Sequence, residues 1–197
     1  MNNPYEYTDK VIAVLNRKAI KRFRQSGSDL LFLDELNVLK YTTSMYHSLL
    51  DEAKKYYLIL AREIYKRYGG NKKRINRAWV NKRLSAYDDV TMYVFLYEVD
   101  RKAQRYAESM IASGTATKYV NIGLRTWTDM VNQYADTLTF DALVDAYKDS
   151  GVKEVMWKSE KDDRVCHTCY RMNGTVYPID KIPDKPHWRC RCTVIPR

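Results

Sequence analysis

Apolar residues recur at three- and four-residue intervals through the first 150 positions, the pattern of helices that bury one face. The first run carries Val11, Val14, Leu15 and Ile20. With Thr8 as its N-cap, it predicts a helix from Asp9 to about Arg24, broken at Ser26-Gly27. A second run starts near Ser28-Asp29 and carries Leu30, Leu33, Leu36, Val38, Tyr41, Met45, Leu49 and Ala53 toward Tyr68, before Gly69-Gly70. About forty residues is long for a globular helix, so a kink is expected around Thr42-Thr43-Ser44. Residues 71–84 read as a short basic helix. Asp88-Asp89 opens another, through Met92, Phe95, Leu96, Val99 and Ala103 to about Ala112, with Gly114 as its end. The pattern resumes from Thr117 to Leu138. Thr139 then caps a last helix, Phe140 to Asp149, which Gly151 terminates.

Past Gly151 the pattern changes. Val152 to Trp157 is short, apolar and β-branched, and Asn173-Gly174 is a hairpin-turn signal followed by Thr175-Val176-Tyr177. Prolines stand at 178, 183, 186 and 196, whereas residues 5–150 hold none. The expected fold is mainly α with a small α+β C-terminal module. An elongated helical body fills residues 1–150, and a short-stranded, cysteine-rich, zinc-knuckle-like module fills 151–197.

Composition supports a packed core: 45% of residues are hydrophobic and 29% charged, a globular balance. Seven glycines, five prolines and no repeats exclude collagen-like and mucin-like chains. No apolar stretch approaches the roughly 20 residues of a membrane span. Met1 to Glu6 lacks the basic start and apolar core of a secretory signal, so a soluble cytoplasmic product without membrane contact is expected.

Charge changes the picture more. The formal net charge is +10, and its whole excess is equivalent to one segment: residues 54–83 carry eleven Lys/Arg against the single Glu63. Lys66, Arg67, Lys72, Lys73, Arg74, Arg77, Lys82 and Arg83 are the candidate DNA-binding residues within it, with tyrosines at 56, 57, 65 and 68 and Trp79 interleaved. Cations can neutralise phosphates and aromatics can stack bases. Equally, the aromatics can be the buried face of a helix and the cations its solvated face.

All four cysteines, Cys166, Cys169, Cys190 and Cys192, lie near the C-terminus. A C-x-x-C at a turn presents two thiolates to one small cation, and a second pair brought in by a chain reversal completes a tetrahedron around zinc. In a strand, Cys190 and Cys192 would share a face, and His187 competes as fourth ligand. Structural zinc is the leading reading; disulfides and buried free thiols are the alternatives. No catalytic residues are assigned. The C-x-x-C does not open a helix in a βαβ unit, and the nearby carboxylates read as solvated surface.

These residues carry a resemblance. The run Val155-Met156-Trp157-Lys158-Ser159, then Asp162-Asp163-Arg164-Val165-Cys166-His167-Thr168-Cys169, Asn173-Gly174-Thr175-Val176-Tyr177, and Pro186-His187-Trp188-Arg189-Cys190-Arg191-Cys192-Thr193-Val194-Ile195-Pro196 resembles the C-terminal module of the phage head morphogenesis, or Mu F-like minor head, proteins. Trp188 stands where that family usually has proline. The resemblance implies a non-enzymatic minor capsid protein of a virion, made in the host cytoplasm and associated with the portal protein and other head proteins. It implies roles in head assembly and genome packaging or ejection, and Asp162 and Arg164 as a motif pair bracing the cysteines. Non-specific contact with double-stranded DNA follows from the basic segment. The competing functions are a zinc-ribbon nucleic-acid-binding protein and a nuclease or toxin-like effector.

Overall fold

The computed structural model describes residues 3–30, 35–85, 117–160, 165–187 and 190–197. Helix α1 is Tyr5–Leu30 and α2 is Glu35–Arg67; a 3-10 turn follows at Lys72–Arg74. Residues 77–85 are helical (α3), and α4 runs Thr117–Asp149. The C-terminal part adds β1 (Glu154–Lys158), α5 (His167–Met172), β2 (Val176–Pro178) and β3 (Thr193–Pro196). The expected mainly helical fold with a small β-containing C-terminal module is what the chain forms. No described helix is long and apolar enough to cross a membrane. The helix expected over 88–112 lies outside the described residues.

Helix boundaries differ from the sequence reading. The first helix starts before Thr8, because Asn3 Oδ1 accepts the Tyr5 N–H at 3.0 Å and Pro4 occupies the opening turn. It also passes through Ser26-Gly27. One glycine costs a helix only about 1 kcal/mol, less than burial of Leu15, Ala19 and Phe23 contributes. Helix α2 is continuous through Thr42–Ser44 and ends, as expected, where Gly69 turns to φ +95°. Helix α4 does not restart at Thr139. That residue is interior, and its hydroxyl meets the Thr8 hydroxyl at 2.7 Å.

The chain folds into two compact units, and each long helix gives one end to each. One unit comprises Val11–Tyr56 and Asn81–Tyr134. Its core is built at helical spacing from Val11, Leu15, Ala19 and Phe23, from Tyr46, Leu49, Leu50 and Ala53, and from Trp127, Met130, Val131 and Tyr134. The Tyr46 ring meets Trp127 edge-on at 6.2 Å.

The other unit comprises Met1–Lys10, Tyr57–Val80 and Ala135–Arg197. Its sheet has the order β2-β1-β3, antiparallel throughout. Along β1, Val155 and Trp157 point inward, and the Trp157 ring lies 6.0 Å from Phe140 of α4. Asn173-Gly174 does not join two strands as a tight hairpin. Asn173 caps α5, and Gly174, at φ +82°, donates to Trp157 O while Trp157 N–H donates to Thr175 O. That is a bulge with glycine in the left-handed position.

Register explains two prolines. Trp157 N–H and Ile179 N–H bond across β1 and β2, so the alternate residue Pro178 faces the outer edge. Arg197 N–H bonds Glu154 O, which likewise turns Pro196 outward on β3. Each edge thus lacks a donor where an incoming strand would need one.

Candidate metal centre

Cys166 is the N-cap of α5: its sulfur accepts the Cys169 N–H at 3.3 Å, so the C-x-x-C does open a helix, in an antiparallel setting. One turn on, Cys169 is buried and points at the second pair. Its sulfur is 3.6 Å from Cys190 Sγ and 3.2 Å from His187 Nε2. Cys190 and Cys192 are both buried, just ahead of β3 and not within it. Two ligand groups result, Cys166-Cys169-His187 and Cys169-Cys190-Cys192, each with its donor atoms within 4.8 Å of one another. Cys169 belongs to both. The four cysteines are free thiols.

The donor set fits a soft divalent ion. Zinc–sulfur bonds of about 2.3 Å make the edges of a tetrahedron about 3.8 Å long, close to the Cys169–Cys190 separation. The thiols already share protons unevenly. The Cys169 N–H bond pulls Cys166 below the usual thiol range, and the bond from Cys190 brings Cys192 down to about 5. Burial pushes Cys169 up to about 12, and the same bond to Cys192 raises Cys190. A cation would take the place of the retained protons. The buried indole N–H of Trp157 has no oxygen or nitrogen partner among the described residues, and its sulfur neighbour is Cys192, whose thiolate it would stabilise.

Several residues around the cysteines were not singled out for this role from sequence. Ser159 donates to Cys169 O at 2.6 Å and receives the Cys192 thiol at 3.4 Å. Period-two alternation along Val155, Trp157 and Ser159 was the available signal. Lys185 donates to Cys190 O at 2.7 Å and to the Tyr5 hydroxyl, and Tyr5 donates to Cys192 O at 3.2 Å. Burial lowers the Lys185 pKa and raises that of Tyr5. Nothing local in the sequence marks Tyr5, 180 residues away from Lys185. Asp162 and Arg164 lie outside the described residues.

The basic candidates are scattered in circumstance. Arg67 pairs with Glu63 at 3.0 Å and lies over the Tyr7 ring; Arg74 pairs with Asp149 at 2.5 Å. Lys66, Lys73, Arg77 and Lys82 are exposed and have no side-chain partner among the described residues, whereas Arg83 is half-buried. Of Lys72 only the backbone is described. Of the interleaved aromatics, Tyr57 and Tyr65 are buried, Tyr56, Tyr68 and Trp79 are half-buried, and Trp79 donates to Asp145 at 3.0 Å.

Cysteines clustered between α5 and the segment before β3, next to a three-stranded sheet in a mainly helical chain, define a small knuckle-like module. Residues 98–195 match the family model described as Phage Mu protein F like protein, the family whose C-terminal module the cysteine run resembles. No curated protein and no solved structure matches the chain. The match suggests a structural protein of phage heads and their morphogenesis, one that interacts with other head proteins in the virion.

Proposed function

We propose that this is a minor head protein of the portal vertex, acting in head assembly and in genome packaging or ejection. Its C-terminal module is held by one structural zinc ion. The observation that carries the metal reading is the convergence of both cysteine pairs and His187 on Cys169. Four of Cys166, Cys169, Cys190, Cys192 and His187 hold the ion, which when bound cross-links α5 to the segment before β3. With four protein ligands it keeps no open position for catalysis. The exposed cations Lys66, Lys73, Arg77 and Lys82, unpaired among the described residues, support non-specific contact with DNA phosphates.

Two measurements test this. Purified protein should contain about one zinc per chain, and Cys169→Ser, which removes the ligand common to both groups, should abolish uptake while retaining most helicity. Co-expression with the portal protein of the same genome should give a complex that survives gel filtration. Protein without zinc and indifferent to chelator ends the metal reading. Failure to co-purify, together with absence from assembled heads, ends the portal assignment.

A further inference from the structure

The proposed metal centre raises a charge problem. Four thiolates around a divalent cation carry a net charge of −2, three with His187 carry −1, and Cys169, Cys190 and Cys192 are buried. An anionic centre withdrawn from water needs compensation from nearby dipoles or cations. The Trp157 indole N–H on β1 is the neutral donor beside Cys192, and the Ser159 hydroxyl, which donates to Cys169 O, lies 3.4 Å from the Cys192 sulfur. The cation comes from elsewhere in the chain.

The Lys185 ammonium lies 2.7 Å from Cys190 O and is hydrogen-bonded to the Tyr5 hydroxyl. It sits over the Tyr5 ring, 4.2 Å from the centroid, with the Phe140 ring of α4 at 5.3 Å. Tyr5 is 6% exposed and passes its own hydroxyl proton to Cys192 O at 3.2 Å. Lys185 and Tyr5 together therefore take the backbone carbonyls of both cysteines of the C-x-C. Beside them, Asn3 Nδ2 donates to Glu160 Oε1 at 3.0 Å, a second tie from the start of α1 to the segment leaving β1. Asp136 is the acidic side chain facing the lysine from α4.

Resting on the metal reading above, we infer that Lys185 and Tyr5 are the outer shell of the metal centre and couple its occupancy to docking of the first turn of α1. Metal loading fixes the C-x-C, whose Cys190 carbonyl holds the ammonium; the ammonium in turn holds Tyr5. Withdrawal of the metal frees the segment that carries the Cys190 and Cys192 carbonyls, weakens that hold and loosens residues 3–10. Linkage makes the effect reciprocal: the factor by which metal tightens the turn is the factor by which the docked turn tightens metal. Lys185 is thus a positioning residue, not a ligand.

The test uses the full chain with Zn²⁺ and Co²⁺ as probes. Competition against a chromophoric chelator should show Lys185→Met binding zinc about ten- to a hundredfold more weakly, the usual range for outer-shell partners. Lys185→Arg should restore part of the affinity, and Tyr5→Phe should weaken it less. The Co²⁺ thiolate absorption of every variant should keep the wild-type band positions, because the ligands themselves are unchanged. Backbone hydrogen exchange at residues 6–10 should speed up when the wild-type protein is stripped of metal, and should already be fast in loaded Lys185→Met. Circular dichroism confirms that each variant folds; should Lys185→Met fail, Tyr5→Phe and the exchange measurement on the wild type decide. Equal zinc affinities with metal-independent exchange overturn the inference alone. A wild-type chain that gives no Co²⁺ thiolate bands overturns the metal reading and the inference with it.

Discussion

Thr8 and Thr139 show what a single residue type conceals. Each reads from the sequence as a residue that begins a helix, yet both lie within helices, are 0% exposed and bond to one another. Propensity ranks threonine low inside helices because its hydroxyl competes for the backbone; here each hydroxyl has a partner instead, and Thr8 also donates weakly to Pro4 O at 3.4 Å. Thr8→Val should cost about 1–2 kcal/mol, since it strands a buried hydroxyl on Thr139. Replacing both threonines by valine should cost less than the sum of the two singles. Urea unfolding of the three variants measures the coupling, and strict additivity would show that the pair is not a unit. No local rule reveals such a pair, because it joins residues 131 positions apart.

At the scale of elements, the segment from Gly69 to Val80 is fixed against α4 by acidic anchors. Tyr65 and Arg74 both reach Asp149, and Trp79 reaches Asp145. A Cβ on Gly70 would overlap the Tyr65 ring, so glycine there is a packing requirement as well as a helix stop. Burial and the Asp149 bond raise the Tyr65 phenol to about 12, and burial raises Tyr5, Tyr68 and Tyr147 as well. Below pH 10 these tyrosines are neutral in both folded and unfolded chains. Between pH 10 and about 12 the unfolded chain ionises first, so stability should fall as pH rises through that window. Urea midpoints across it check the sign, and Tyr65→Phe should shallow the decline. Helical periodicity made the long helices legible, and the C-x-x-C…C-x-C spacing made the centre legible. The helix ends were misplaced because capping depended on Asn3 and on the buried threonines, which periodicity does not weigh.

For the molecule as a whole, the charge excess of residues 54–83 resolves into two populations. Arg62, which donates to Ile75 O at 2.8 Å, and Arg67 and Arg74 are engaged within the fold; Lys66, Lys73 and Arg77 are exposed and unpaired among the described residues. If the second group holds phosphates, duplex affinity should fall steeply with salt and depend little on sequence. Changing Lys66, Lys73 and Arg77 to Gln should reduce the slope of log K against log salt by up to about 0.9 for each phosphate no longer neutralised, about 2.7 in all. An unchanged slope would move these cations from nucleic acid to an acidic protein partner. Sequence alone located the charge. It did not separate structural from available cations, because that division depends on partners such as Asp149, 75 positions from Arg74.

The prolines at the two sheet edges carry a consequence for a chain whose family match suggests that it interacts with other head proteins. A three-stranded sheet whose outer strands pair with no further strand among the described residues is a nucleus for templated growth, each new strand presenting the next docking rail. Pro178 and Pro196 interrupt both rails at the rung where recruitment would begin. Crowded together during assembly, neighbouring copies should therefore remain separate particles and not thread into fibres through their knuckles.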